Sequence, residues 1–136
     1  MRLFLDTNVL LSAFASRGLC SDLYESVMLR HELITGRNVL RELARALRDK
    51  IRMSAEQCVE RVDAVSRQAV ETVEAPAPLD CNADGDDLLV LGEAIAGGAE
   101  IFVTGDADLV RLKSVVAMRI LTPREFWEFL RSERNQ

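Results

Sequence analysis

The feature that most constrains this chain is an alternation. Short apolar runs of strand length are followed by longer segments with helical period, and cap or turn residues separate them. Arg2 to Leu5 is a strand-length run, and Val9 to Phe14 continues with apolar residues suited to a helix packed on a sheet. Ser21 to Leu29 suits a second helix, which His31 ends, and Leu33 to Thr35 a short strand. Beyond Gly36, Asn38 reads as the N-cap of a helix through Leu47. Ser54 to Gln57 matches a capping box, and Ala55, Cys58, Val59, Val62, Val65 and Ala69 follow the three-and-four spacing of an amphipathic helix running to about Val70. Val70 to Val73 reads as a strand, Asp86 to Ala96 as a helix closed by Gly97 and Gly98, Ile101 to Val103 as a buried strand, and Val116 to Leu121 as the last strand. Thr122 to Glu125 is a helix start, with Thr as cap, Pro at the first helical position and Glu three residues after the cap. Strands alternating with helices predict an α/β chain whose parallel sheet is covered on both faces. The only linker-like stretch, Ala75 to Leu79, is too short to divide it, so residues 1–136 read as a single domain.

Composition removes several function classes. With 136 residues, 49% of them hydrophobic, the chain can bury a core without disulfides or a structural metal. Its longest apolar runs, such as Leu88 to Leu91, fall far short of the roughly 18 residues of a membrane span. Asp6 interrupts the opening Met1 to Leu5 before it becomes a secretory core, and Cys20, Cys58 and Cys81 form no Cys-x-x-Cys pair. A cytoplasmic, reducing setting without a membrane partner is the expectation. His31 is the only histidine, so any catalysis must rest on carboxylates, hydroxyls or thiols. Charge is uneven: residues 1–70 hold 11 basic and 9 acidic groups, whereas residues 71–136 hold 6 and 13. Nucleic acid stays admissible as a partner, because local fields can oppose the net charge of -5.

The acids carry the chemistry. Asp6 follows the first strand directly, Asp106 and Asp108 lie just beyond a later one, and Asp84, Asp86 and Asp87 lead into the helix between them. In open parallel sheets ligands bind outside the carboxyl ends of the strands, so residues a hundred apart in sequence can meet in one crevice. Each acid alone has an ordinary reading as a helix cap or turn residue. Together they make a hard-oxygen cluster without nearby cations, which must take up protons or recruit a metal, Mg²⁺ or Mn²⁺ being the natural partner. On a helical wheel Val39, Leu40, Leu43 and Leu47 share one sector, Arg41, Arg45, Arg48 and Arg52 lie nearly opposite, and Glu42 falls between. Glu42 can therefore reach over the sheet end. The arginines form either a solvated face or a grip on a phosphate backbone.

Four segments, in order and spacing, resemble the PIN-domain ribonucleases, particularly the VapC-like toxins of bacterial toxin-antitoxin systems. They are Leu5 to Leu10, Leu40 to Leu43, Asp84 to Asp87, and Val103 to Leu109; the closing Ile120 to Phe126 is similar to the family's last strand and helix. The resemblance implies a three-layer α/β/α fold and a metal pocket of Asp6, Glu42, Asp87 and Asp106, with Asp108 as a fifth candidate and Asn8 and Thr104 as polar supporters. Asp87 is chosen because Ala94, seven residues on, then falls where the family has its small helix residue; assistance from Asp84 or Asp86 stays open. The implied reaction is hydrolysis of RNA phosphodiesters with one or two Mg²⁺ or Mn²⁺ ions, the backbone being gripped outside the pocket by Arg41, Arg45, Arg48 and Arg52. As a toxin the chain would pair with a cognate antitoxin laid across the acidic groove, and it would form a homodimer, to which the helix from Ser54 lends an amphipathic face. The alternatives are an RNA-processing nuclease of the same fold and a non-cleaving module that binds RNA or protein. A haloacid-dehalogenase-like phosphatase fits less well, because Asn8, Val110 and Arg111 stand where that family needs acids.

Overall fold

The computed structural model describes residues 1–134. The chain runs β1 (Arg2–Leu5), α1 (Thr7–Ala15), α2 (Leu19–Arg30), β2 (Glu32–Gly36), α3 (Arg37–Asp49), α4 (Ala55–Gln68), β3 (Glu71–Val73), α5 (Gly85–Ala96), β4 (Ile101–Val103), α6 (Ala107–Val110), β5 (Ser114–Val115), β6 (Met118–Leu121) and α7 (Pro123–Arg134). The six strands lie in the order β3-β2-β1-β4-β6-β5, all parallel except β5, which pairs antiparallel with β6. From β1 the chain steps outward to β2 and then β3, and afterwards reverses past both to reach β4. Right-handed crossovers place successive helices on one face while the direction holds and on the other when it reverses. Accordingly α1, α2, α3 and α4 pack against one another, whereas α5 packs on β2 and β3. The expected three layers are present.

The central strands are apolar on both sides, as a doubly covered sheet requires. Leu3, Phe4, Leu5, Ile101, Phe102 and Val103 are all buried, and the Phe4 and Phe102 rings stack with centroids 5.5 Å apart. Local signals fix several boundaries. Asp6 caps α1 by accepting from the Thr7 amide at 2.8 Å, so the helix starts two residues before the apolar pattern does. Both capping boxes close reciprocally, Ser54 with Gln57 at 3.2 Å each way and Thr122 with Glu125 at 3.0 Å each way. No helix among the described residues is long and apolar enough to cross a membrane.

Two expectations are corrected. Asn38 is not a cap: α3 begins at Arg37, with Gly36 in the cap position, and the Asn38 amide donates to a carboxylate from α5 instead. The strand expected from Val116 starts at Met118, because Val116 turns with φ 58° and links β5 to β6 as a hairpin. Of the cap and turn readings open to Asp106 the cap is found, followed by a single helical turn, α6. In α4 the apolar stripe divides: Cys58 and Val65 are buried, Val62 and Ala69 are half-buried, and Val59 is 59% exposed.

Candidate active site

The reversal of chain direction falls between β1 and β4, whose register pairs Leu5 with Val103. Such a reversal opens a crevice at the carboxyl ends of the two strands, because the loops leaving them diverge to opposite faces. Asp6 and Thr104 are the next residues on each side. The Asp6 amide donates to the Val103 carbonyl at 2.9 Å, which extends the ladder one step and fixes the aspartate backbone at the rim. The residue is buried, at 7% exposure. Oδ1 accepts from the Thr7 amide, and Oδ2 accepts from the Thr104 hydroxyl at 2.7 Å and the Asn8 side-chain amide at 3.2 Å. Thr104 Oγ1 also accepts from the Asp106 amide at 3.0 Å, and Asn8 Oδ1 accepts from the Gly105 amide at 2.9 Å. One hydroxyl and one carboxamide thus couple the Asp6 loop to the Asp106 loop.

The other two acids come from helices. Glu42 rides on α3 beside the buried Val39, Leu43 and Leu47 face, and its Oε2 accepts from the Thr7 hydroxyl at 2.8 Å. Asp87 lies in the first turn of α5. A cleft of about 360 Å³ is lined by Asp6, Thr7, Asn8, Glu42, Asp87 and Asp106. Asp84 and Asp86 are exposed and do not line it.

Crowding shows in the electrostatics. Burial pushes the Asp6 carboxyl up from 3.8 to about 6; the bonds from Thr104 and Thr7 oppose the rise, and Glu42 and Asp87 add to it. Asp87 is raised as well, first by burial and then by Asp106, Asp84, Glu42 and Asp86. None of the ion pairs formed among the described residues includes Asp6, Glu42, Asp87 or Asp106, whereas Asp49, a fifth acid on the cleft, pairs with Arg48. Cations are nonetheless closer than the sequence suggested, since Arg45 and Lys50 stand on the cleft wall. The donor set suits a hard divalent ion. Among the described residues no three carboxylate, imidazole or thiol groups are drawn together as a ligand shell.

The remaining sequence candidates separate. Asp108 pairs with Arg111 at 2.8 Å, is largely exposed, and does not line the cleft. Arg41 borders a different groove, between α3 and α4, with Val62 and Ser66. Arg48 is paired to Asp49 at 2.8 Å, and Arg52 lies past the end of α3 with φ 61°, so the helical wheel that put it in the stripe does not apply there. Of the four arginines only Arg45 lines the cleft. Sequence reasoning missed two residues. Lys50 continues the side of α3 that carries Glu42 and Ala46, a spacing the wheel could have shown. Glu93 is fully buried and accepts from the Asn38 amide at 2.7 Å; its signal was a lone charge in the apolar run from Leu88 to Ile95.

Comparison with solved structures finds the same fold in VapBC2 from Rickettsia felis bound to a DNA fragment from its promoter. The TM-score is 0.65 with 18% identity, covering 90% of this chain and 98% of that one. VapBC-1 from nontypeable Haemophilus influenzae is similar too, with a TM-score of 0.61 and 13% identity over 91% of this chain and 99% of that one. Curated protein sequences give no match. The family model described as PIN domain matches residues 2–108, which span β1 through α6 and all four cleft acids. The chain belongs to the PIN domain family.

Proposed function

We propose that the chain is a divalent-metal-dependent endoribonuclease and the toxin of a toxin-antitoxin pair. The observation that carries this reading is the meeting of Asp6, Glu42, Asp87 and Asp106, from four separate segments, on one cleft at the β1–β4 reversal, with the Asp6 carboxyl held at about 6 and no ion pair to relieve it. These four acids would hold one or two Mg²⁺ or Mn²⁺ ions. A bound ion of this kind lowers the pKa of a water, aligns it with phosphorus and neutralises charge on the leaving oxygen.

The chain's own residues prepare the site. Thr104 and Asn8 hold the Asp6 carboxylate, and Thr7 holds that of Glu42, so neither acid has to be ordered when the ion enters. Bare carboxylates repel phosphate, which makes RNA binding depend on the loaded cleft. Arg45 and Lys50 lie about 4.5 Å and 12 Å beyond Glu42 along the axis of α3, where they would hold neighbouring backbone phosphates. Arg41, Arg48 and Arg52 do not line the cleft, so any hold they have on the backbone would lie outside it.

The toxin assignment and the antitoxin partner are supported by the likeness to chains of two VapBC assemblies. A homodimer would use the amphipathic α4, whose Val59 is exposed, and three free cysteines suit a reducing cytoplasm. Purified protein is expected to fragment RNA in Mn²⁺ and to leave it intact in EDTA; intact RNA in both overturns the nuclease reading. Induced expression is expected to arrest growth, with relief from a short neighbouring reading frame. Cleavage in vitro without arrest favours an RNA-processing nuclease of the same chemistry.

A further inference from the structure

Helix α3 begins without a cap of its own. Gly36 occupies the cap position and has no side chain to accept from the first turn, although Gly36 itself and Val39 are buried. The acceptor arrives from α5. Glu93 Oε2 accepts from the Asn38 backbone amide at 2.7 Å and from its side-chain amide at 3.1 Å, while Oε1 faces the Val39 amide at 3.4 Å. Glu93 has no exposed surface. A buried carboxylate is tolerable here because a helix N-terminus supplies both donors and the positive end of a dipole. Gly36 makes the room: a Cβ there would lie 2.2 Å from Glu93 Cδ.

A serine or threonine at position 36 would cap α3 locally and bury no charge. The arrangement used instead spans 55 residues of sequence and ties two helices together. Both helices line the cleft. Glu42 lies one turn beyond the amides that Glu93 holds, and Asp87 lies six residues before Glu93, about 9 Å along α5. We infer that Glu93 is a positioning residue, a strut from α5 to the start of α3 that sets the spacing of Asp87 and Glu42 across the cleft and thereby its affinity for a divalent ion. The inference rests on the metal-dependent reading above and goes beyond it in naming what holds two of the ligands apart.

The test separates capping from positioning. Gly36→Ser combined with Glu93→Ala restores a cap in place while deleting the tie; the backbone at 36 is already extended, as an N-cap requires, and loss of the glutamate clears space for the new Cβ. This double variant is expected to melt in EDTA above Glu93→Ala and near the parent. It should nevertheless bind Mn²⁺ about tenfold more weakly by calorimetric titration, and lose kcat for RNA with little change in KM. Glu93→Asp keeps the charge and both acceptors on a stem one methylene shorter, and it too is expected to weaken Mn²⁺ binding. Recovery of the parent's Mn²⁺ affinity by the double variant reduces Glu93 to a cap and overturns the inference, as does undiminished affinity in Glu93→Asp; the latter decides if the double variant does not fold. A parent that neither binds Mn²⁺ nor cuts RNA overturns the functional reading itself. A parent that does both, with variants equal to it, overturns only the strut.

Discussion

Lowering the pH should stabilise the metal-free protein, against the usual trend for acids held in favourable native interactions. The Asp6 carboxyl titrates at 3.8 when unperturbed and at about 6 in the fold, with burial as the main cause. Between those values the folded state binds more protons than the unfolded one, so stability falls as pH rises through the window. Above it the full cost of the ionised Asp6 is about 3 kcal/mol, taken from a shift of roughly two units at 1.36 kcal/mol each. Moving from about pH 7.5 to pH 5 recovers roughly half, about 1.4 kcal/mol, or about 5 °C in melting temperature for a chain of this size. Asp87 and the buried Glu93, also raised, add in the same direction; His31, lowered chiefly by burial, opposes it, because acid charges its imidazole more readily in the unfolded chain, and the lowered Asp49 acts only below this range. Asp6→Asn isolates the contribution. The new carboxamide oxygen still accepts from the Thr7 amide and the Thr104 hydroxyl can reverse to accept from its nitrogen, but the bond from the Asn8 side-chain amide is lost, so the slope with pH and not the absolute melting temperature is compared. Thermal melts in EDTA across this range should show the parent gaining stability as pH falls and the variant gaining less. Parallel curves for parent and variant would refute the reasoning, because the slope would then come from elsewhere.

Other outcomes follow from the same geometry. Arg45→Gln with Lys50→Gln should weaken RNA binding across sequences and lower the salt slope by about two, whereas Arg41→Gln with Arg48→Gln should leave it near the parent's; filter binding at several salt concentrations decides. Sedimentation at micromolar concentration should give twice 15.2 kDa, and Val59→Glu should shift it toward the monomer; a parent that stays monomeric sinks the dimer. Asp106→Asn should melt at or above the parent in EDTA and below it in excess Mn²⁺, since at an ion concentration of about 100 Kd the parent gains about 2.7 kcal/mol that the variant largely forgoes. Curves that do not cross contradict the repulsion argument.

What the sequence revealed depends on how local each signal is. Asp6 and the two capping boxes are written in consecutive residues, and the buried face of α3 in its period, so strands and helices around them were legible. The hairpin at Val116 was hidden because a β-branched residue takes the positive φ that glycine or asparagine would advertise. Helix α6 is one turn, too short for a period to show. The cap of α3 was misassigned to Asn38 because the true acceptor, Glu93, comes from another helix. The arginine stripe illustrates a different limit. A wheel gives each residue an angle but not what that angle faces, and it fails outright for Arg52, where the helix has already ended.

Whether the cleft acids work through a divalent ion is tested most directly by a single-turnover RNA cleavage rate in Mn²⁺, parent against Asp106→Asn. Asparagine can keep the bond that Asp106 Oδ1 accepts from the Asp108 amide at 2.9 Å, so α6 stays capped and only the charge is lost. The predicted result is a fall on the order of a thousandfold, equivalent to several kcal/mol of transition-state stabilisation, in a variant that still melts cooperatively in EDTA. Cleavage by the variant at the parent's rate would contradict the proposed site.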